Sequence, residues 1–334
     1  MISPFFPTAG ADDRQVDRER LLAFEKRLRK EKVLSCLVIK DGSLFLEYYK
    51  NKKLAAKLQK MNSCTKSFVA TLMGVALDQG VISDLDTPIS EYFPALHHKS
   101  VDPIKRSITL YHLLTMTAGF DWPEFGEWKS FPHMFYSSDW VRFVLERPLI
   151  HEPGDKMNYN SGCSHLLSAV LQKASGVSTY DFAKKHLLEP LKIQDSYWYT
   201  DGQGIPNGGD GLRITTMDMA KLGQLYLQKG QLKEKQVVSS YWIQEFIKPR
   251  FLTYERIGSY GCHWWSARID PEKDWTADNW FYFALGFGGQ YILVVPSLEM
   301  VVVFTSELYD QSLHPLSLFR TYVLPAIVTK TAAD

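Results

Sequence analysis

The stretch LSCLVIKDGSLFLEYY, residues 34–49, reads as two β-rich runs around Lys40-Asp41-Gly42-Ser43. An Asp-Gly pair between such runs is a hairpin signal, because Gly supplies the positive φ that a tight turn needs. The far end of the chain repeats the pattern. QYILVVPSLEMVVVFTS, residues 290–306, is a second hairpin-like pair turning at Pro296-Ser297. A charged segment from Arg14 to Lys32, with Leu21, Leu22, Phe24 and Leu28 at helical intervals, precedes the first pair, and a helical tail from about Leu316 to Thr331 follows the second. Between them the pattern turns helical: a helix opening at Ser63 and stopping near Gly80, a short run ending at Gly119, NSGCSHLLSAVLQKASG ending at Gly176, and TTMDMAKLGQLYLQKG, capped by Thr215 or Thr216 and ending at Gly230. Strands at both termini around a helical middle do not make two sequential domains. The expected fold is α+β, an antiparallel sheet built from both chain ends and flanked by terminal helices, with an inserted α-helical subdomain. In residue terms, 1–334 is one domain, with 14–60 and 255–331 in the sheet part and 61–254 mainly helical.

Composition narrows the function. The chain has 334 residues, 45% hydrophobic and 22% charged, with a formal net charge of +1 and no long run of one sign. Nothing there suggests a nucleic-acid partner or an electrostatic membrane patch. Neither a basic-then-apolar leader nor a membrane-length apolar stretch is visible, so a cytoplasmic chain is expected. Four scattered cysteines, Cys36, Cys64, Cys163 and Cys262, include no Cys-x-x-Cys pair, and nine histidines include no His-Glu-x-x-His. No metal or other cofactor is expected.

The helix opening Ser63-Cys64-Thr65-Lys66 raises the chemical question. Asn62 or Ser63 would serve as an N-cap, but a lysine sits badly at the electropositive start of a helix. Residues i and i+3 share a face, so Ser63 and Lys66 can touch, and a lysine with a lowered pKa can take a hydroxyl proton. Two further segments fit such chemistry. Tyr159-Asn160-Ser161 stands just before a helix, behind a loop fixed by Pro153-Gly154, and a phenol there can relay a proton. ALGFGGQYILVVP puts Gly286, Gly288 and Gly289 at the entry of an apolar strand, where an exposed backbone N–H is a ready oxyanion donor. A phosphate loop is ruled out there, because no Gly-Lys-Ser/Thr follows, and Gly-x-Ser-x-Gly is absent from the sequence.

Taken in order, Ser-x-x-Lys, Tyr-x-Ser and a Gly-rich strand entry resemble the serine β-lactamase and penicillin-binding protein superfamily. The likeness is greatest to its class C-like branch, with class C β-lactamases, D-alanyl-D-alanine peptidases, family VIII carboxylesterases and 6-aminohexanoate-dimer hydrolase. ITLYHLLTMTAGF, GGDGLRITTMDMAKLGQLYLQKG and YGCHWW look similar as well, and the resemblance runs from about Leu34 to Thr305. It implies a serine hydrolase working through an acyl-enzyme on ester or amide bonds of a small-molecule or short peptide-like substrate. Ser63 is then the nucleophile, Lys66 and Tyr159 share the acid–base work, and the N–H groups of Ser63 and Gln290 form the oxyanion hole. No Glu-x-x-Leu-Asn-like segment follows Tyr159, which favours a tyrosine-type mechanism over the class A one. The resemblance also places Ser161, Phe287, Gly288 and Gly289 at the substrate, and Trp122, Trp264 and Trp265 are candidate pocket walls. Phe287-Gly288-Gly289 stands where relatives carry Lys-Thr-Gly or His-x-Gly, and Ser161 stands where class C enzymes carry asparagine. Both departures point away from β-lactams and towards an uncharged or aromatic acyl group. The rivals are a β-lactamase or D-alanyl-D-alanine carboxypeptidase, and a sensor that is acylated and never released.

Overall fold

The computed structural model describes residues 5–10, 16–124 and 131–327. Arg14 and the part of the tail beyond Ile327 lie outside the described residues. The main sheet has eight strands: β1 (Val33–Lys40), β2 (Ser43–Tyr49), β3 (Phe251–Tyr254), β4 (Gly258–Tyr260), β5 (Trp265–Arg268), β6 (Trp280–Gly286), β7 (Gln290–Val295) and β8 (Met300–Ser306). Their order is β2-β1-β8-β7-β6-β5-β4-β3, antiparallel throughout. Strand β1 pairs β8 over Val33–Lys40, so the first hairpin and the last zip together. Asp41 and Gly42, at φ 49° and 72°, make the tight turn that the Asp-Gly pair predicts. The C-terminal part of the sheet starts at Phe251, four residues before the expected boundary at 255.

Alternation along the strands sorts side chains into two cores. Leu37, Ile39, Ile292, Val294, Val301 and Val303 join the core on the helical side. Cys36, Val38, Leu293, Val295, Val302 and Phe304 join the other, with the terminal helices. That second layer is helix α1 (Arg18–Leu28), buried through Leu21, Phe24 and Leu28, together with the helical run 314–326. Burial on both faces explains why these strands are apolar at nearly every position.

The helical side holds α2 (Thr65–Asp78), α3 (Ser161–Ser175) and α4 (Thr216–Leu227). In α2 every residue from Thr65 to Ala76 is buried, as expected of a helix that is apolar all round. Its start differs from the expectation. Asn62–Cys64 form a 3-10 turn, the α-helix begins at Thr65, and no side chain caps it. Asn160 caps α3 by accepting from the Cys163 N–H at 3.1 Å, and Thr215 caps α4 by accepting from the Asp218 N–H at 3.1 Å. A small sheet of Gln59–Lys60, Leu212–Ile214 and Tyr197–Trp198 lies beside the start of α2. The Met61 N–H donates to the Leu212 carbonyl and the Leu212 N–H to Thr65 Oγ1, which brings the 207–212 loop against the Ser63 turn. Among the described residues no helix is long and apolar enough to cross a membrane.

Candidate active site

Asn62 has a positive φ of 48°, a conformation asparagine tolerates better than most residues. Its side-chain amide donates to the Phe287 carbonyl at 2.6 Å, tying the Ser63 turn to the loop between β6 and β7. That loop needs its glycines. Gly288 and Gly289 sit at φ 79° and 85°, and a Cβ on Gly286 would lie 2.3 Å from the Met61 carbonyl oxygen. The close approach sets strand β7 beside the turn, where Cys64 Sγ reaches the Gln290 carbonyl at 3.4 Å. The Gln290 side chain is spent elsewhere, bridging the main chain of Ser306 through both ends.

Lys66 lies one helical turn beyond Ser63, and its ammonium sits 2.8 Å from Ser63 Oγ, 2.8 Å from Ser161 Oγ and 2.9 Å from the Gly209 carbonyl oxygen. Burial pushes the Lys66 pKa down, opposed by the nearby Glu124 and Asp210. Tyr159 hydrogen-bonds Ser63 through its phenol, and Lys66 Nζ stands 4.9 Å from the centre of its ring. Burial pushes the Tyr159 pKa well up, with the Glu124 charge adding to the shift. The ring is held by Trp265, stacked at 5.9 Å, and by the edge of Tyr260, also at 5.9 Å. Ser63, Lys66, Tyr159 and Ser161 thus come from two segments to one point.

A cavity of about 470 Å³ opens over Ser63 and Tyr159. Leu285, Phe287, Ile257, Leu313 and Trp265 give it apolar walls, while Glu124 and Asp210 place carboxyl groups in it. Phe287 is 46% exposed and leans on Tyr309, ring centres 5.4 Å apart, at the rim. The remaining tryptophans are placed differently from the expectation. Trp264 is fully buried against Tyr226 and Tyr282, whereas its neighbour Trp265, the third candidate wall, does line the cavity. Trp122 is buried too, and its indole N–H donates to Glu124 at 2.8 Å. Neither Trp264 nor Trp122 meets the cavity. Ser161 is fully buried between Lys66 and Glu124.

Sequence reasoning missed Glu124 and Asp210. Glu124 accepts from the Ser161 N–H and hydroxyl, each at 2.6 Å. Asp210 is held by Asn207 Nδ2 at 2.5 Å, and burial pushes its pKa up. Among the described residues no cluster of three His, Cys, Asp or Glu side chains could hold a metal ion.

The beta-lactamase family model matches residues 24–313. The chain belongs to the beta-lactamase family. A β-lactamase of Escherichia coli K12 is 29% identical over 201 residues, covering 53% of this chain and 50% of the relative, so that match spans about half of the relative's length. The 6-aminohexanoate-dimer hydrolase of Paenarthrobacter ureafaciens is 22% identical over 315 residues, covering 87% of this chain and 76% of the relative. Among solved structures, a Bacillus anthracis protein assigned as a 6-aminohexanoate-dimer hydrolase superposes with a TM-score of 0.75 at 22% identity, covering 96% of this chain and 86% of that one. A class C β-lactamase from Rhodobacter sphaeroides gives 0.66 at 19% identity, covering 91% and 99%. This beta-lactamase-family protein shares the fold of both structures.

Proposed function

We propose that the protein is a serine hydrolase that cleaves ester or amide bonds of uncharged, largely apolar acyl compounds through an acyl-enzyme. The carrying observation is the 2.8 Å contact of Lys66 Nζ with Ser63 Oγ at the floor of an apolar cavity. Ser63 Oγ attacks the carbonyl carbon as its proton passes to Lys66 or Tyr159. The two titrate as a coupled pair. The main-chain N–H groups of Ser63 and Gln290 receive the developing oxyanion, and a donor of that kind contributes about 3–4 kcal/mol to the barrier. The proton then goes to the leaving group through the Tyr159 phenol, and the same phenol activates water for deacylation. On this reading 61–254 is an insertion into a sheet domain completed by 14–60 and 255–331, and the site lies at their junction.

The cavity walls support the choice of substrate. The Lys66 Nζ is turned to Ser161, Gly209 and Ser63, and the carboxyl groups of the lining, Glu124 and Asp210, are acids. Among the described residues of the lining a substrate carboxylate meets no cation, and a desolvated, unpaired charge is disfavoured. Arg213, the nearest alternative in sequence, lies over the Tyr197 ring and outside the cavity lining. A panel of p-nitrophenyl esters, nitrocefin and D-amino-acid amides on purified protein tests the reading. Turnover of the short esters supports it; turnover of nitrocefin or the D-amino-acid amides in preference to them overturns it.

A further inference from the structure

As an ammonium Lys66 cannot serve as the base. An ammonium has three N–H donors, and here all three are engaged, by Ser63 Oγ, Ser161 Oγ and the Gly209 carbonyl. The lysine therefore donates to the hydroxyl whose proton it must accept. Ser161 offers the way out. Its hydroxyl accepts from Lys66 at 2.8 Å and donates to Glu124 Oε1 at 2.6 Å. Glu124 Oε2 accepts from the Ser161 N–H at 2.6 Å and from the Trp122 indole at 2.8 Å. Every one of these contacts uses Glu124 as acceptor. All four residues are buried, and Glu124 also borders the cavity.

We propose that Glu124 converts Lys66 from ammonium to free amine by taking a proton from it through the Ser161 hydroxyl. This rests on the acyl-enzyme reading of Ser63. The Ser161 O–H bond breaks as its proton bonds to Glu124 Oε1, and one Lys66 N–H bond breaks as that proton re-forms the serine hydroxyl. Serine is regenerated, Glu124 becomes a carboxylic acid and Lys66 an amine, with no change in net charge. The transfer neutralises two buried charges, which burial favours and their mutual attraction opposes. Rotation about the lysine Cε–Nζ bond then turns the lone pair to Ser63. Because it acts through Ser161 and not on the substrate, Glu124 is a positioning residue.

The other ionisable groups facing Lys66 are Asp210, Tyr159, Cys64, Cys163 and His263. Of these Asp210 alone is a second carboxyl group, and its Oδ1 is taken by Asn207. Asp210→Asn is the matched control.

The experiment follows the rate at which a fluorophosphonate labels Ser63, by intact mass, from pH 5 to pH 10, with circular dichroism as the check on folding. Wild type should label over a broad neutral plateau. Glu124→Gln keeps the shape and an acceptor oxygen but not the basicity, and should label about 10²-fold slower at pH 7, recovering towards wild type as high pH removes the lysine proton directly. Ser161→Ala should behave alike, and the double variant should be no slower than either single one, because both break one path. Glu124→Asp should recover part of the neutral rate, and Asp210→Asn, which removes a nearby charge but no link of the path, should not show the loss of neutral labelling seen in Glu124→Gln. If Glu124→Gln fails to fold, Ser161→Ala carries the same comparison. A wild-type pH profile in Glu124→Gln or in Ser161→Ala overturns the relay. Wild-type protein that never labels at Ser63 overturns the acyl-enzyme reading instead.

Discussion

The side-chain amide of Asn62 donates to the Phe287 carbonyl at 2.6 Å, so the residue before the nucleophile holds the residue that sets the rim of the cavity. Substrate choice and nucleophile position are coupled through that bond. Replacing Phe287 by lysine leaves the carbonyl in place and adds a cation at the half-exposed rim. Phe287→Lys should raise kcat/KM for carboxylate-bearing D-alanyl peptides relative to short neutral esters, and wild type should prefer the esters. The ratio should fall as salt rises, because a partly exposed charge pair is screened. Wild-type preference for the carboxylate-bearing substrates would mean that another cation serves the site.

The loop glycines give a second test. A Cβ on Gly286 would come to 2.3 Å from the Met61 carbonyl oxygen, backbone against side chain, and one of them must move. Gly286→Ala should cost about 1–3 kcal/mol of stability, as overpacking does. Its effect on turnover should be larger, on the order of 10²-fold in kcat/KM, because the displaced strand carries Gln290 away from the Ser63 turn. Thermal unfolding and ester hydrolysis measured on one preparation separate the two effects.

Cys64 and Cys163 adjoin the site and invite a thiol mechanism. Both are buried, and burial pushes each pKa well up, against the smaller lowering by Lys66. A thiol so held is not a thiolate at neutral pH. Cys64→Ala should keep ester hydrolysis within a few-fold of wild type, and native protein should resist iodoacetamide at both positions. Loss of all hydrolysis in a folded Cys64→Ala protein would contradict this.

How much of this was legible in the sequence depends on the range of the signal. The hairpin at Asp41-Gly42 and the contact of Ser63 with Lys66 are local, set by turn chemistry and by one helical turn, and both are visible as short patterns. The start of α2 was less so, since Asn62 and Ser63 have capping side chains but belong to a 3-10 turn bonded to strand β7 and the loop before it. Glu124 was invisible: a lone acid in WPEFG has no spacing to the motifs, and its partner Ser161 lies 37 residues on. Trp264 and Trp265 show the limit of alternation. Strand β5 begins only at Trp265, so alternation does not reach Trp264 and leaves open which of the two faces the cavity.

His263 supplies a prediction on stability. It sits at φ 60° with its Nε2 3.0 Å from Ser164 Oγ, and burial, followed by the Lys66 charge, lowers its pKa to about 3. The unfolded chain titrates this group near pH 6.5, so between the two values the unfolded state binds the extra proton. Stability therefore falls as pH drops below about 6.5, by roughly 2 kcal/mol at pH 5 for a shift of this size. His263→Asn, which tolerates the positive φ, should flatten that part of the curve in urea unfolding at pH 5 and pH 7. An unchanged slope would place the acid sensitivity on other groups.

The central claim is that Ser63 is the sole covalent nucleophile, and intact-mass labelling tests it most directly. Wild-type protein treated with a fluorophosphonate should gain one adduct, mapped to Ser63, while Ser63→Ala gains none and loses ester hydrolysis. An adduct that persists in folded Ser63→Ala protein, or hydrolysis that survives there at the wild-type rate, would contradict the account.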